Sequence, residues 1–127
     1  MTAERARLDP ALDPALDPVL GPALGPALGP DLGLPIGARA TFVQFSSTFC
    51  APCRTTRRVL ERVVATSEGV AHVEIDVADH LALGERLGIT ATPTVLVLDA
   101  DGVERSRATG APTLAQARAV LAAVSGR

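Results

Sequence analysis

The 127-residue sequence contains no tryptophan, no tyrosine and no lysine, and only three phenylalanines. With so few aromatic side chains, a hydrophobic core has to be built from valine, leucine, isoleucine and alanine. Hydrophobic residues make up 47% of the chain and charged residues 20%, which is the balance of a globular protein. All basic residues are arginine, and we attribute this to the codon bias of a GC-rich genome.

The chain also lacks a concentration of charge and a long apolar run. Its net charge is −2 and its arginines are scattered, which argues against a nucleic-acid-binding surface. No apolar run approaches the roughly 18 residues that span a bilayer, and the N-terminus has no apolar core of a signal peptide. These absences predict a soluble cytoplasmic protein. The alternative is an extracytoplasmic domain whose membrane anchor is missing from this start.

Residues 8–35 form a tetrapeptide repeat of the type LDPA and LGPA. A proline at every fourth position removes backbone donors and excludes a continuous helix. We therefore predict that residues 1–37 are a disordered, proline-rich tail and that residues 38–127 are the folded domain. A repeat expansion that the fold tolerates is the favoured interpretation of the tail, and a spacer or docking segment is the alternative.

Hydrophobic periodicity and turn residues divide the remaining chain into seven elements. The predicted strands are 40–46, 70–76, 94–98 and 103–109, and the predicted helices are 52–65, 79–87 and 113–124. Thr113 and Gln116 match a capping box at the start of the last helix. The order β-α-β-α-β-β-α predicts an α/β sandwich with a four-stranded mixed sheet flanked by helices.

The only two cysteines form a C-x-x-C motif, Cys50–Ala51–Pro52–Cys53. A disulfide that closes so short a loop restricts the unfolded chain very little, which favours a functional pair over a structural one. Cys50 falls between the first strand and the first helix, where free backbone N–H groups stabilise a thiolate. Cys50 is therefore the predicted nucleophile and Cys53 the resolving cysteine.

Two other interpretations of the motif are open. C-x-x-C is half of a common zinc site, but the sequence has no second C-x-x-C and no closely spaced histidine pair. Two inert core cysteines are the other possibility. We favour the redox pair, and we expect no metal and no other cofactor.

Two separated motifs resemble the thioredoxin family. FVQFSSTFCAPCR at 42–54 is similar to its active-site strand and loop, and ITATPT at 89–94 is similar to its second signature. The resemblance covers about residues 38–125 and implies a thioredoxin-like fold. The family's first strand and helix are absent from the pattern, which predicts that strand 70–76 lies at an edge of the sheet.

Further roles follow from the resemblance, position by position. It implies that Pro93 is the family's cis-proline and leaves the Thr92 backbone free for an extended substrate. Gly110 matches a glycine that lets substrate approach. Phe49 stands where the family often has tryptophan, and Ala51 and Pro52 stand between the cysteines. We expect these six residues to bind substrate.

Gln44 departs from the family pattern. It occupies the position where thioredoxins commonly carry a buried acid that helps to move the proton of the resolving cysteine. Because glutamine cannot ionise, it cannot act as that base, and we hypothesise that Cys53 is a poorer nucleophile near neutral pH. His72 matches a lysine close to that acid, so Gln44 and His72 are the expected proton-transfer environment.

Three functions compete. The favoured one is a monomeric protein-disulfide reductase, which acts on disulfide-containing protein clients and takes electrons from an upstream thiol or reductase. The second is a redox-switched binding module with the same fold and no efficient turnover. The third is a peroxide-reducing enzyme, which usually has its attacking cysteine in a different motif.

Overall fold

The computed structural model of the chain describes residues 36–125. The predicted tail, apart from Ile36 and Gly37, lies outside the described residues. Four strands and three α-helices are present in this range. The strands are β1 (Ala40–Ser46), β2 (Val70–Asp76), β3 (Thr94–Asp99) and β4 (Glu104–Thr109), and the helices are α1 (Ala51–Ala65), α2 (Leu81–Arg86) and α3 (Leu114–Ser125).

The strands form one mixed sheet in the order β2-β1-β3-β4. β1 runs parallel to β2 and antiparallel to β3, and β3 and β4 form an antiparallel hairpin. The predicted four-stranded α/β architecture is therefore confirmed. Within the part of the chain that the structure describes, β2 forms an edge of the sheet, as the sequence pattern predicts.

Two apolar clusters cover the two faces of the sheet. On one face, Phe42 and Val97 pack against α1 through Leu60 and against α3 through Leu121. The opposite face carries Val43, Phe45, Ile75, Leu96 and Leu98, and α2 and the residues after it pack there. The alternation of side chains along β1 decides which residue joins which cluster.

The predicted helix at 79–87 is shorter in the structure, and this prediction was wrong in detail. A separate 3-10 turn occupies Val77–Asp79, and the Asp76 side chain caps its start, where Oδ1 accepts from Ala78 N at 2.8 Å. His80 then leaves helical geometry, with φ −144°, before α2 begins. The helix starts two residues later than predicted because Asp79 belongs to the 3-10 turn that Asp76 caps, and His80 separates this turn from α2.

The capping box of α3 is present as predicted. The Thr113 amide donates to Gln116 Oε1 at 2.9 Å, and the Gln116 amide donates to Thr113 Oγ1 at 3.0 Å. These reciprocal bonds satisfy two of the N–H groups that a helix start leaves without partners.

Two glycines differ sharply in what a methyl group would meet. At Gly37 a Cβ would lie 2.5 Å from the Gly69 carbonyl oxygen and 2.8 Å from the Ala71 amide nitrogen. At Gly84, inside α2, the nearest atom would be Ile89 Cβ at 4.0 Å. The first site is closed by backbone, and the second has room.

We predict opposite effects of alanine at these two positions. Gly37→Ala should lower the free energy of unfolding by about 1–3 kcal/mol, because the backbone around β2 has to shift. Gly84→Ala is the matched control and should raise it by about 0.5–1 kcal/mol, through the better helix propensity of alanine. Urea unfolding followed by circular dichroism measures both, and equal effects would contradict the close packing at Gly37.

Candidate active site

The two cysteines lie at the junction of β1 and α1. Cys50 is the residue that caps α1, with extended backbone angles, and its Sγ accepts from the Cys53 amide at 3.2 Å. The structure holds the oxidised pair, with an S–S distance of 2.17 Å and a Cα–Cα distance of 5.2 Å. Cys50 is partly exposed, whereas Cys53 is 1% exposed. A partner can therefore reach Cys50 directly but not Cys53.

The first turn of α1 is electrically favourable for an anion at Cys50. It contains Ala51 and Pro52, both exposed, and no acidic residue. Pro52 costs the helix nothing here, since its missing N–H would have had no intrahelical partner. Arg54 follows directly after Cys53. A thiolate at Cys50 would thus face the positive end of the helix dipole with no opposing carboxylate in the first turn.

Phe49 has an unusual backbone conformation. Its φ is +58°, in the left-handed region, and its side chain is 98% exposed. A bulky residue with positive φ is a genuine outlier, and this conformation costs roughly 1–2 kcal/mol. Strain of this kind concentrates at functional sites, and here it holds an aromatic ring in solvent next to Cys50.

A second loop carries the Thr92–Pro93 peptide bond, which is cis. The Thr92 hydroxyl is 2.8 Å from the Ser47 hydroxyl and 4.0 Å from Cys50 Sγ. Within residues 36–125, the backbone of Thr92 makes no hydrogen bond. The loop is therefore attached to the dithiol loop by side chains, and the main chain of Thr92 remains open to another partner.

Gly110 stands beside this loop. Its amide donates to the Pro93 carbonyl at 2.9 Å, and its φ is +82°. A Cβ at this position would meet no atom within 4 Å. The surface next to Pro93 is consequently open at Gly110.

Gln44 is fully buried below the dithiol, and its amide is held by several hydrogen bonds. Its Nε2 donates to the Cys53 carbonyl at 2.9 Å and to Ser46 Oγ at 3.0 Å. Its Oε1 lies 3.0 Å from His72 Nε2. Because the Cys53 carbonyl can only accept, the amide nitrogen faces it, and His72 Nε2 carries the proton that bonds Oε1.

Three residues of this network are not among the predicted site residues. Ser46 Oγ donates to Glu74 Oε2 at 2.7 Å, and Glu74 is bound by both Arg57 Nε at 2.6 Å and Arg57 Nη2 at 2.9 Å. Gln44 and Glu74 are direct partners in the parallel register of β1 and β2. The alternation of VAHVEID places Glu74 on the same side as His72, which is the signal that could have found it.

The network shifts three pKa values, and the hydrogen bond with Glu74 raises that of Arg57. The hydrogen bonds from Arg57 hold the pKa of Glu74 below its usual range, although partial burial opposes this, and the Ser46 hydroxyl adds to the lowering. Burial lowers the pKa of His72, against the opposing attraction of Glu74. The residues below the dithiol are therefore neutral apart from the Glu74–Arg57 pair at the rim.

A cavity of about 450 Å³ opens beside Cys50. Phe49 and Cys50 line it together with Arg54, Arg57 and Glu74. Thr92, Pro93 and Gly110 do not line it, so Cys50 borders two different surfaces. Within residues 36–125, no group of three or more His, Cys, Asp or Glu side chains is arranged to hold a metal ion.

Comparison with known proteins agrees with this geometry. The family model described as a thioredoxin-like domain matches residues 36–125. A thioredoxin from Chlamydia caviae is 32% identical over 75 residues, which are 59% of this chain and 72% of that protein. A mitochondrial thioredoxin from Bos taurus is 37% identical over 57 residues, which are 44% of this chain and 34% of that protein.

A solved structure is similar as well. The crystal structure of a thioredoxin from Nicotiana alata has a TM-score of 0.62 and is 27% identical, covering 69% of this chain and 75% of that one. The chain therefore belongs to the thioredoxin-like family. With its Cys50–Cys53 pair at disulfide distance, it is a thiol–disulfide oxidoreductase. No helix within residues 36–125 is long and apolar enough to cross a membrane.

The lowered pKa of His72 makes stability depend on pH. Between the folded and unfolded pKa values the unfolded chain binds more protons, so the free energy of unfolding should fall as pH falls below about 6.5. His72→Gln keeps an N–H donor for Gln44 and should flatten this slope. Urea unfolding from about pH 5 to about pH 8 measures it.

The exposed His80 supplies the matched control. His80→Gln removes the other histidine and leaves the contact of His72 with Gln44 intact, so a slope due to His72 is kept. If the pH dependence of stability survives in His72→Gln and disappears in His80→Gln, its assignment to His72 is wrong.

Proposed function

We propose that the protein is a protein-disulfide reductase in which Cys50 is the nucleophile and Cys53 the resolving cysteine. The observation that carries this proposal is the asymmetry of the pair: Cys50 is partly exposed at the helix start, and Cys53 is 1% exposed. Only Cys50 can meet a client disulfide, and only Cys53 is placed to attack the resulting bond from inside the protein.

The reaction balances as two thiol–disulfide exchanges. The Cys50 thiolate attacks one sulfur of the client disulfide, a mixed disulfide forms, and the other client sulfur leaves as a thiolate that takes up a proton. Cys53 then loses its proton and attacks Cys50 Sγ, which releases the second client thiol. The client gains two electrons, and the protein is left with the Cys50–Cys53 disulfide seen here.

The open main chain of Thr92 supports a role in client binding. An extended client segment could pair with it beside Cys50, in the manner of a strand added to a sheet edge. Pro93 and the open surface at Gly110 would border that segment, and Phe49, Ala51 and Pro52 would form its apolar contact near the attacked sulfur. The strained exposure of Phe49 favours this role over a packing one.

Members of this family act on disulfide substrates and are reduced by partner reductases. We propose that this chain acts as a monomer on protein disulfides and receives electrons from an upstream thiol or reductase. The cytoplasm is the compartment that suits such a reductase, because its thiol pool keeps the dithiol reduced.

Selective labelling tests the two roles. In the reduced protein, iodoacetamide should modify Cys50 with a midpoint below the value of about 8.5 for a free thiol, and Cys53 should react slowly. Cys53→Ser should accumulate a mixed disulfide with insulin, visible by mass, while Cys50→Ser should form none. Equal labelling of both cysteines, or a mixed disulfide through Cys53, would overturn the assignment.

We propose that Gln44 positions Cys53 through its carbonyl and does not accept the proton of the resolving thiol. The amide donates to the Cys53 carbonyl and contributes no ionisable group. Resolution of the mixed disulfide would therefore depend on solvent to remove the proton, which slows it near neutral pH.

Two substitutions of the same shape separate ionisation from packing. Gln44→Asp adds a carboxyl group at this position, whereas Gln44→Asn shortens the side chain without adding a charge. Insulin reduction should be faster for Gln44→Asp than for Gln44→Asn near neutral pH, by a factor of about ten or more if a general base is restored. Superimposable pH–rate profiles for the two variants would remove Gln44 from the mechanism.

Because Gln44 has no ionisable group, a second function, the redox-switched binding module, is also favoured. Slow resolution would let a mixed disulfide persist and hold a partner. Insulin turnover with dithiothreitol as reductant distinguishes the two candidates. Repeated turnover supports the reductase, and a single stoichiometric reaction supports the module.

A further inference from the structure

One exposed face of α1 carries three arginines with no partner in the described part of the chain. Arg54, Arg58 and Arg62, here called the arginine stripe, follow one another at four-residue spacing and are all exposed. Residues four apart lie on the same side of a helix, where like charges repel. None of the three makes a salt bridge or a side-chain hydrogen bond with residues 36–125.

The arginine stripe lacks the ion pairing that the neighbouring arginine on α1 has. Arg57, one residue before Arg58, is fully engaged by Glu74. Glu61 is the only acid on α1 and forms no ion pair within residues 36–125. Glu61 lies three residues after Arg58 on the same side of the helix, so three arginines and one acid leave this face with a net positive charge.

Acidic residues that could pair with the arginine stripe are present in the N-terminal part of the same chain. Residues 8–38 contain four aspartates and no basic residue. Three of them, Asp9, Asp13 and Asp17, recur at every fourth position in LDPALDPALDPVL at 8–20. By contrast, residues 36–127 have ten arginines and nine acids.

We propose that residues 8–20 dock on the arginine stripe of their own chain. The described chain starts at the same end of the domain as the end of α1, because the Arg39 side chain donates to the Glu68 carbonyl. From there the stripe leads back along α1 to Cys53 and Cys50. The 18 residues between Asp17 and Ile36 are ample to reach it at about 3 Å each.

The spacings of the two partners agree. Arg62 lies eight positions after Arg54, which is a rise of about 12 Å along the helix axis. Four residues of an extended, proline-rich segment span about 12 Å. Two successive aspartates can therefore pair with the two ends of the stripe at the same time, and this makes the repeat a tethered ligand of the helix that carries the dithiol.

The absence of lysine makes a direct test possible. Arg58→Lys introduces a single side-chain amine into the full chain, and a carbodiimide couples it only to carboxylates in contact with it. Digestion and mass spectrometry then identify the partner. We expect coupling to Asp9, Asp13 or Asp17 in a product of monomer mass.

The matched control is Ala82→Lys. It places an amine on an exposed position of α2, on the opposite face of the sheet. It should not couple to these aspartates, and the parent chain controls for the N-terminal amine. Coupling should also be lost in about 1 M salt, where the Debye length falls to about 3 Å.

A triple substitution completes the test. Asp9→Asn, Asp13→Asn and Asp17→Asn in the Arg58→Lys chain should abolish the tail cross-link and leave any coupling to Glu61 unchanged. The proposal is overturned if Arg58→Lys couples to Glu61 alone, if it couples to the aspartates no more than Ala82→Lys does, or if the aspartate product has only dimer mass. None of these outcomes depends on disulfide reductase activity.

Discussion

The structure depends on β1, the strand to which both neighbouring strands bond. All seven residues of Ala40–Ser46 are buried, with β2 parallel on one side and β3 antiparallel on the other. Because a shift of one residue turns every side chain to the opposite face, a slip of this strand would move Phe42 and Phe45 into the wrong apolar clusters. The end of β1 therefore decides where the chain delivers Cys50.

Gln44 is one of three buried polar residues in that strand, with Thr41 and Ser46, and it shows how the site is joined to the fold. A buried amide without hydrogen bonds would cost roughly 1–3 kcal/mol. Its partners come from three different elements: Ser46 on β1, His72 on β2 and the Cys53 carbonyl in α1. The Gln44 amide thus stabilises the junction of β1 and α1 and also holds the backbone of Cys53.

The charged side chains near the dithiol lie at its rim, whereas the neutral Gln44 lies below it. The Glu74 carboxylate is held at the rim by Arg57 and Ser46, and the positive side of α1 faces solvent. Cys50 therefore faces positive potential from the N-terminus of α1 and from Arg54 and Arg57, which line the same cavity. The electrostatic potential at the dithiol is therefore determined by the N-terminus of α1 and by the Arg57–Glu74 ion pair.

Local patterns determined much of this molecule before any tertiary contact is considered. The bounds of β1 follow from a short apolar run, and those of β2 from alternation. The capping box of α3 and the position of Cys50 at a helix start follow from capping chemistry and helical spacing, which also act over a few residues. Only the tertiary structure decided that Glu74 brings a carboxylate next to Gln44, and that His72 bonds Gln44. These contacts join residues about thirty positions apart, and the parallel register of β1 with β2 that creates them is set by packing of the whole sheet.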